Sequence, residues 1–189
     1  MSPYYGSRRS PGASTMGVFT MEPAGRPPLV LFLCRSNTTS SIMAEAILRQ
    51  AAHSTWRAAS AGDGPVGRAV HPVTLQTLRR HEVETRGLKP RLWGEFFGLG
   101  REPVRILITL ADVEAARVNW ELDNSKLARG AWPMPDPGET TGSETDVRRA
   151  FDAAFDCLAA RIGRLLALRP ERLAPSALAN ALQDIARQD

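Results

Sequence analysis

Cys34 is one of two cysteines in the 189-residue chain, and it stands where an apolar run ends and a polar, turn-prone stretch begins. Leu29-Val-Leu-Phe-Leu33 precedes it and Arg35-Ser-Asn-Thr-Thr-Ser-Ser41 follows. The apolar run has the composition of a strand buried on both faces. Ile42 to His53 then reads as a helix, with Ile42, Ala46, Ile47 and Ala51 close to one face. A loop that leads from a strand into a helix aims successive N–H groups at one point. With the positive end of the helix dipole behind it, such a loop makes a nest for an anion. A cysteine at the start of the nest is expected to have a lowered pKa, and its thiolate is a nucleophile for attack on phosphorus or arsenic. The alternative is a buried cysteine that closes a strand.

The surrounding elements alternate in the manner of a parallel sheet flanked by helices. Trp56 to Ala61 reads as a second strand, Gly62 to Arg68 as a Gly/Pro loop, and His71 to Arg80 as a short helix. Val104 to Leu110 is another buried strand, and Leu127 to Trp132 leads into the loop Pro133-Met-Pro-Asp-Pro-Gly138. Asp146 to Leu168 is a long amphipathic helix carrying Phe151, Phe155, Leu158 and Ile162, stopped at Pro170, and Ala177 to Ala186 is a short last helix. Residues 1–28 are rich in Gly, Pro, Ser and Arg without any period, and are expected to be a disordered extension ahead of one domain over 29–189.

Composition narrows the classes. The chain is 43% hydrophobic and 23% charged, as a globular domain requires. Of its net charge of +4, half comes from Arg8, Arg9 and Arg26 set against Glu22. Without a basic run or aromatic–basic interleaving, no nucleic acid is expected as a partner. No apolar run is long enough to span a membrane, and the first 28 residues lack the apolar core of a secretory signal. Two cysteines cannot make a disulfide framework, so a reducing, cytoplasmic setting is expected. His53, His71 and His81 lack the spacing of a metal site, and His71 before Pro72 reads as a residue that opens a helix. Trp56, Trp93, Trp120 and Trp132 read as core or loop-packing residues, with a pocket wall as a second option for Trp93 and Trp132.

Cys34-x-x-Asn37, Ser41 and Met43-Ala-Glu45 resemble the signature loop of the low-molecular-weight tyrosine phosphatase superfamily. Trp132-Pro-Met-Pro-Asp-Pro137 resembles the same superfamily's distal acid loop. Ser60-Ala-Gly62, Gly67-Arg-Ala-Val-His-Pro72, Trp93-Gly-Glu-Phe96 and Thr141-Gly-Ser-Glu144 are similar to its thioredoxin-type arsenate reductase branch. The resemblance covers about residues 28 to 189. It implies an α/β fold with a four-stranded parallel sheet and helices on both faces. It also implies Cys34 as nucleophile, Asn37 as loop brace, Ser41 as the hydroxyl that supports the thiolate, and Asp136 as general acid. For Asp136 a plain turn residue stays open. The implied oxyanion-binding stretch is Arg35, Ser36, Asn37, Thr38, Thr39, Ser40 and Ser41.

The chain departs from the family pattern at two places. The family loop is Cys, five residues, Arg, whereas here the last position is Ser40. A serine hydroxyl does not replace a bidentate cation. Arg35 and Arg68 are candidate substitutes, with Arg35 expected on a solvent-facing rim. The redox cysteines of the arsenate reductase branch are also missing, since no cysteine occurs from Ala111 to Trp132. Cys157 reads as a partly buried helix residue rather than a resolving thiol. Two functions follow. One is a phosphatase-like or arsenate-reductase-like enzyme, weakened at Ser40, with no resident cofactor. It would act on phosphate, arsenate or a phosphorylated substrate, and reduction would need an external thiol or a thiol-redox partner. The other is a non-catalytic relative that binds an oxyanion or a phosphoprotein.

Overall fold

The computed structural model describes residues 26–52, 54–97, 101, 103–111 and 127–188. His53, Trp120 and all but the end of the expected N-terminal extension lie outside the described residues. Four strands, β1 (Leu29–Cys34), β2 (Arg57–Gly62), β3 (Val104–Thr109) and β4 (Ala128–Ala131), form one sheet in the order β2-β1-β3-β4. Every pairing is parallel. Four α-helices accompany them: α1 (Ser40–Ala51), α2 (Pro72–Arg80), α3 (Glu144–Ala167) and α4 (Pro175–Ala186).

β1 is central and every one of its residues is buried. Because side chains alternate along a strand, it feeds two cores. Val30, Phe32 and Cys34 pack with Met43, Ile47, Phe151, Leu158, Ile162 and Leu182 from α1, α3 and α4. Leu29, Leu31 and Leu33 pack on the other face with Leu107, under Trp93, Phe96 and Phe97 around a short 3-10 helix (Trp93–Phe96). This is the expected four-stranded α/β sheet flanked by helices. No helix among the described residues is long and apolar enough to cross a membrane.

Local chemistry sets the helix ends. His71 caps α2, its ring accepting a hydrogen bond from Val73 N at 3.2 Å, and Pro72 occupies the first turn. It therefore opens the helix, as its place before proline suggests. Ser143 and Asp146 close a reciprocal capping box on α3. Helix α4 packs on β4 at Gly130, where an added Cβ would lie 2.7 Å from Leu182 Cβ. Trp132 is fully buried, tilted against Phe32, and donates Nε1–H to Leu182 O at 2.9 Å.

Candidate active site

The polar stretch after β1 folds back against the loop that follows β2. Asp63 N donates to Cys34 O, Gly64 N to Arg35 O, Gly67 N to Ser36 O and His71 N to Thr38 O, all at 3.0–3.1 Å. Thr74 Oγ1 also donates to Thr38 O. These bonds tie the carbonyls of residues 34, 35, 36 and 38 to the segment after β2. Asn37 takes a left-handed conformation, φ 52°, which asparagine tolerates better than most residues. Its N–H reaches Cys34 Sγ at 3.3 Å.

The proton order around the sulfur follows from one fixed donor. Arg91 N can only donate, and it donates to Asn37 Oδ1 at 2.7 Å. Asn37 Nδ2 therefore faces Ser41 Oγ, to which it donates at 2.9 Å. Cys34 Sγ lies 2.8 Å from Ser41 Oγ, which donates its hydroxyl hydrogen when the sulfur is thiolate. Cys34 is only 5% exposed, and burial pushes its thiol above the ordinary range. The Ser41 hydroxyl and the N–H groups of Asn37 and Ser41 pull the other way, while the charge of Asp136 adds to the rise. The sequence-based expectation of a lowered pKa is thus reversed. The nest is present, but position 40 carries no cation and the sulfur is largely cut off from water.

Cys34, Arg35, Ser40 and Asp136 line one cavity of about 190 Å³, together with Glu139 and apolar walls from Leu110 and Met134. The approach of Asp136 has a structural cause. Trp132 N donates to Thr109 O and Met134 N to Leu110 O, so the chain after β4 stays pinned to the end of β3. Arg161, buried on α3, donates Nη1–H to Trp132 O at 2.9 Å from below. Asp136 Oδ1 then accepts from Thr39 Oγ1 at 2.8 Å and from Gly138 N at 2.9 Å, which also makes it the cap of a short 3-10 turn.

The remaining candidates divide. Arg35 is exposed on the rim, as expected, and lies 3.6 Å from Glu139 across the mouth. The side chains of Ser36, Asn37, Thr38, Thr39 and Ser41 do not line the cavity. Ser36 and Thr38 share a hydroxyl contact, and Asn37 and Ser41 brace the sulfur. Arg68 is exposed and does not line the cavity, nor do Trp93 and Trp132. Cys157 is half-buried on α3, consistent with a helix residue. Glu139 and Arg91 had no motif to mark them. Arg91 stands between two loops with a backbone role that sequence types do not encode.

A family model described as low molecular weight phosphotyrosine protein phosphatase matches residues 29–175. A search of curated proteins gives no match. Among solved structures, YfkJ from Bacillus subtilis is similar with a TM-score of 0.56 at 23% identity, over 80% of this chain and 100% of that one. An arsenate reductase in the phosphate binding state gives 0.59 at 18% identity, over 75% and 98%. A low molecular weight protein tyrosine phosphatase from T. tengcongensis gives 0.57 at 20% identity, over 75% and 99%. At such identities these likenesses speak to the fold. The family match runs from β1 through the cysteine loop and the whole sheet to the first residue of α4, and the chain therefore belongs to the low molecular weight phosphotyrosine protein phosphatase family.

Proposed function

We propose that the protein is a slow cysteine-dependent enzyme acting on phosphate esters or arsenate. The observation that carries this reading is the Cys34 sulfur held by the Ser41 hydroxyl and the Asn37 N–H in a cavity that Asp136 shares. On a phosphate ester, the Cys34 thiolate attacks phosphorus, the S–P bond forms and the ester P–O bond breaks. Asp136 protonates the leaving oxygen. Both hydrogen bonds to Asp136 fall on Oδ1, so Oδ2 is the oxygen left to carry that proton. Water then cleaves the S–P bond with the Asp136 carboxylate taking its proton, releasing phosphate and restoring the Cys34 thiolate and the protonated Asp136. In this reading N–H groups of the cysteine loop hold the non-bridging oxygens, and among the described residues Arg35 is the one cation on the cavity lining.

With arsenate, Cys34 displaces water to form an S–As bond. An external thiol attacks Cys34 sulfur, arsenic leaves as arsenite with the electron pair, and a second external thiol reduces the mixed disulfide. The external thiol, a small molecule or a partner's cysteine, is required because no cysteine lies between Ala111 and Trp132.

The second reading, a non-catalytic oxyanion or phosphoprotein binder, is favoured by Ser40, which leaves the cavity without a cation where transition-state charge would develop. Turnover of an aryl phosphate and of arsenate with a dithiol, against Cys34→Ser, decides between them. Cysteine-dependent turnover supports the enzyme. Phosphate or arsenate binding without turnover favours the binder.

A further inference from the structure

Glu45, fully buried, and Arg91, half-buried, form an ion pair that no step above uses. Glu45 is fully buried on α1, one turn beyond Ser41 and on the same face. Its Oε2 accepts from Arg91 Nη2 at 2.6 Å and from Ser60 Oγ at 2.5 Å, and its Oε1 accepts from Arg49 Nη2. The Arg91 guanidinium lies over the Phe96 ring, 5.4 Å from its centroid, and its Nε is buried with no hydrogen-bond partner among the described residues. For stability alone this is a poor arrangement. Taking the Glu45 carboxylate fully out of water and the Arg91 guanidinium partly out is costly, apolar side chains of similar volume often do as well, and an unpartnered N–H adds to the cost.

The main chain of Arg91 shows what the pair holds. Its carbonyl accepts from Gly62 N at 2.8 Å, and its N–H donates to Asn37 Oδ1 at 2.7 Å. One residue therefore ties the end of β2 to the side chain that orients Ser41, and the buried carboxylate on α1 fixes that residue from behind. We propose that Glu45 and Arg91 are positioning residues for Cys34, holding Asn37 and through it the Ser41 hydroxyl against the sulfur. The inference rests on the reading of Cys34 as the nucleophile.

Glu45→Gln separates positioning from plain electrostatics, because the two give opposite signs. Removing a buried anion leaves the Arg91 cation less compensated, and by charge alone this lowers the Cys34 midpoint. Loosening Arg91 withdraws Asn37 and Ser41 from Sγ and raises it. The other charged groups on the cavity lining, Arg35, Asp136 and Glu139, are unchanged. The experiment is the pH dependence of Cys34 alkylation by iodoacetamide, with thermal unfolding to verify the fold. Glu45→Gln is expected to raise the midpoint by about one pH unit, a roughly tenfold slower alkylation at fixed pH below it. Ser60→Ala, which removes one donor to Glu45 with little loss of volume, moves it the same way by less. Arg91→Lys keeps one charged contact and stays near the parent. Leu178→Ala, on α4, lowers Tm without moving the midpoint. An unchanged or lowered midpoint in folded Glu45→Gln and Ser60→Ala overturns the proposal. Alkylation does not depend on turnover. A parent inactive on both substrates but showing these rises would remove the proposed enzymatic function and support the positioning role.

Discussion

At Cys34 two sets of forces meet, and their balance fixes the protein's reactivity. Burial favours the neutral thiol, while Ser41 and two backbone N–H groups favour the thiolate, and burial is the larger. A group whose pKa is raised stays protonated to higher pH, so Cys34 is expected to alkylate slowly at neutral pH and faster through the alkaline range. The midpoint should lie above the free-cysteine value of about 8.5. A midpoint below that value would mean that the helix dipole outweighs desolvation. Ser41→Ala removes the largest opposing contribution and should push the midpoint higher still. Ser40 is the second residue at issue. It is buried at the first position of α1 and lines the cavity, at the position where the sequence resemblance implies a loop arginine. Ser40→Arg adds a cation where transition-state charge develops, and turnover of an aryl phosphate should rise by roughly 10²–10³. The gain belongs mainly in kcat, and the Cys34 midpoint should fall with it. Steady-state kinetics with circular dichroism check both. A folded variant without gain would place the limit elsewhere in the cavity.

The elements that carry these residues depend on a close approach of backbone to backbone at Gly62. A Cβ on Gly62 would lie 2.8 Å from Arg35 O and 2.6 Å from Val66 Cγ1, so the end of β2 fits under the cysteine loop only as glycine. Gly62→Ala is expected to cost about 1–3 kcal/mol, as overpacking commonly does, and to displace the carbonyl ties that shape the nest. Chemical denaturation gives the cost. Phosphate binding, followed by the shift it causes in Tm, should weaken in the same variant, and a Gly62→Ala protein of parental stability would contradict the packing argument. These elements were legible to different depths. β1, β3 and α3 stood out because their apolar patterns are long or unbroken. β4 is Ala-Arg-Gly-Ala, which carries no strand signal of its own and is a strand because β3 pairs with it and Leu182 covers Gly130. Helix α1 begins at Ser40, earlier than the pattern suggests, because two buried serines at its start read as loop. Cys34, Asn37, Ser41 and Asp136 were visible through the family resemblance. The Glu139 contact with Arg35 and the keystone position of Arg91 arise from tertiary placement alone.

At the scale of the whole molecule the question is whether the cavity still binds an anion. The chain carries a net charge of +4, so anions gather around it without any specific site, and a general salt effect on stability is expected. Among the described residues the cavity lining has more carboxylates than cations, so its attraction for an anion must come from Arg35 and from loop N–H groups such as those of Asn37 and Ser41 at the sulfur. Those donors exist only in the folded state, since the loop's carbonyl ties to residues 63–71 create them. A ligand that binds only the folded chain stabilises it by mass action, about 1.4 kcal/mol at ten times its Kd. For a chain of this size that corresponds to a rise in Tm of roughly 3–5 °C. Phosphate and arsenate should therefore raise Tm in a saturable way, above the shift given by chloride at equal ionic strength. Prior alkylation of Cys34 with iodoacetamide places a neutral group on the sulfur inside the cavity. It should abolish the saturable part while leaving the general salt effect intact. If phosphate stabilised the alkylated protein as well as the free one, the anion would be bound at the cationic surface and not in the cysteine loop. Ser40→Arg supplies a sharper version, because a guanidinium over the nest should shift the phosphate response to lower concentration, whereas a surface effect would respond to one added charge only slightly.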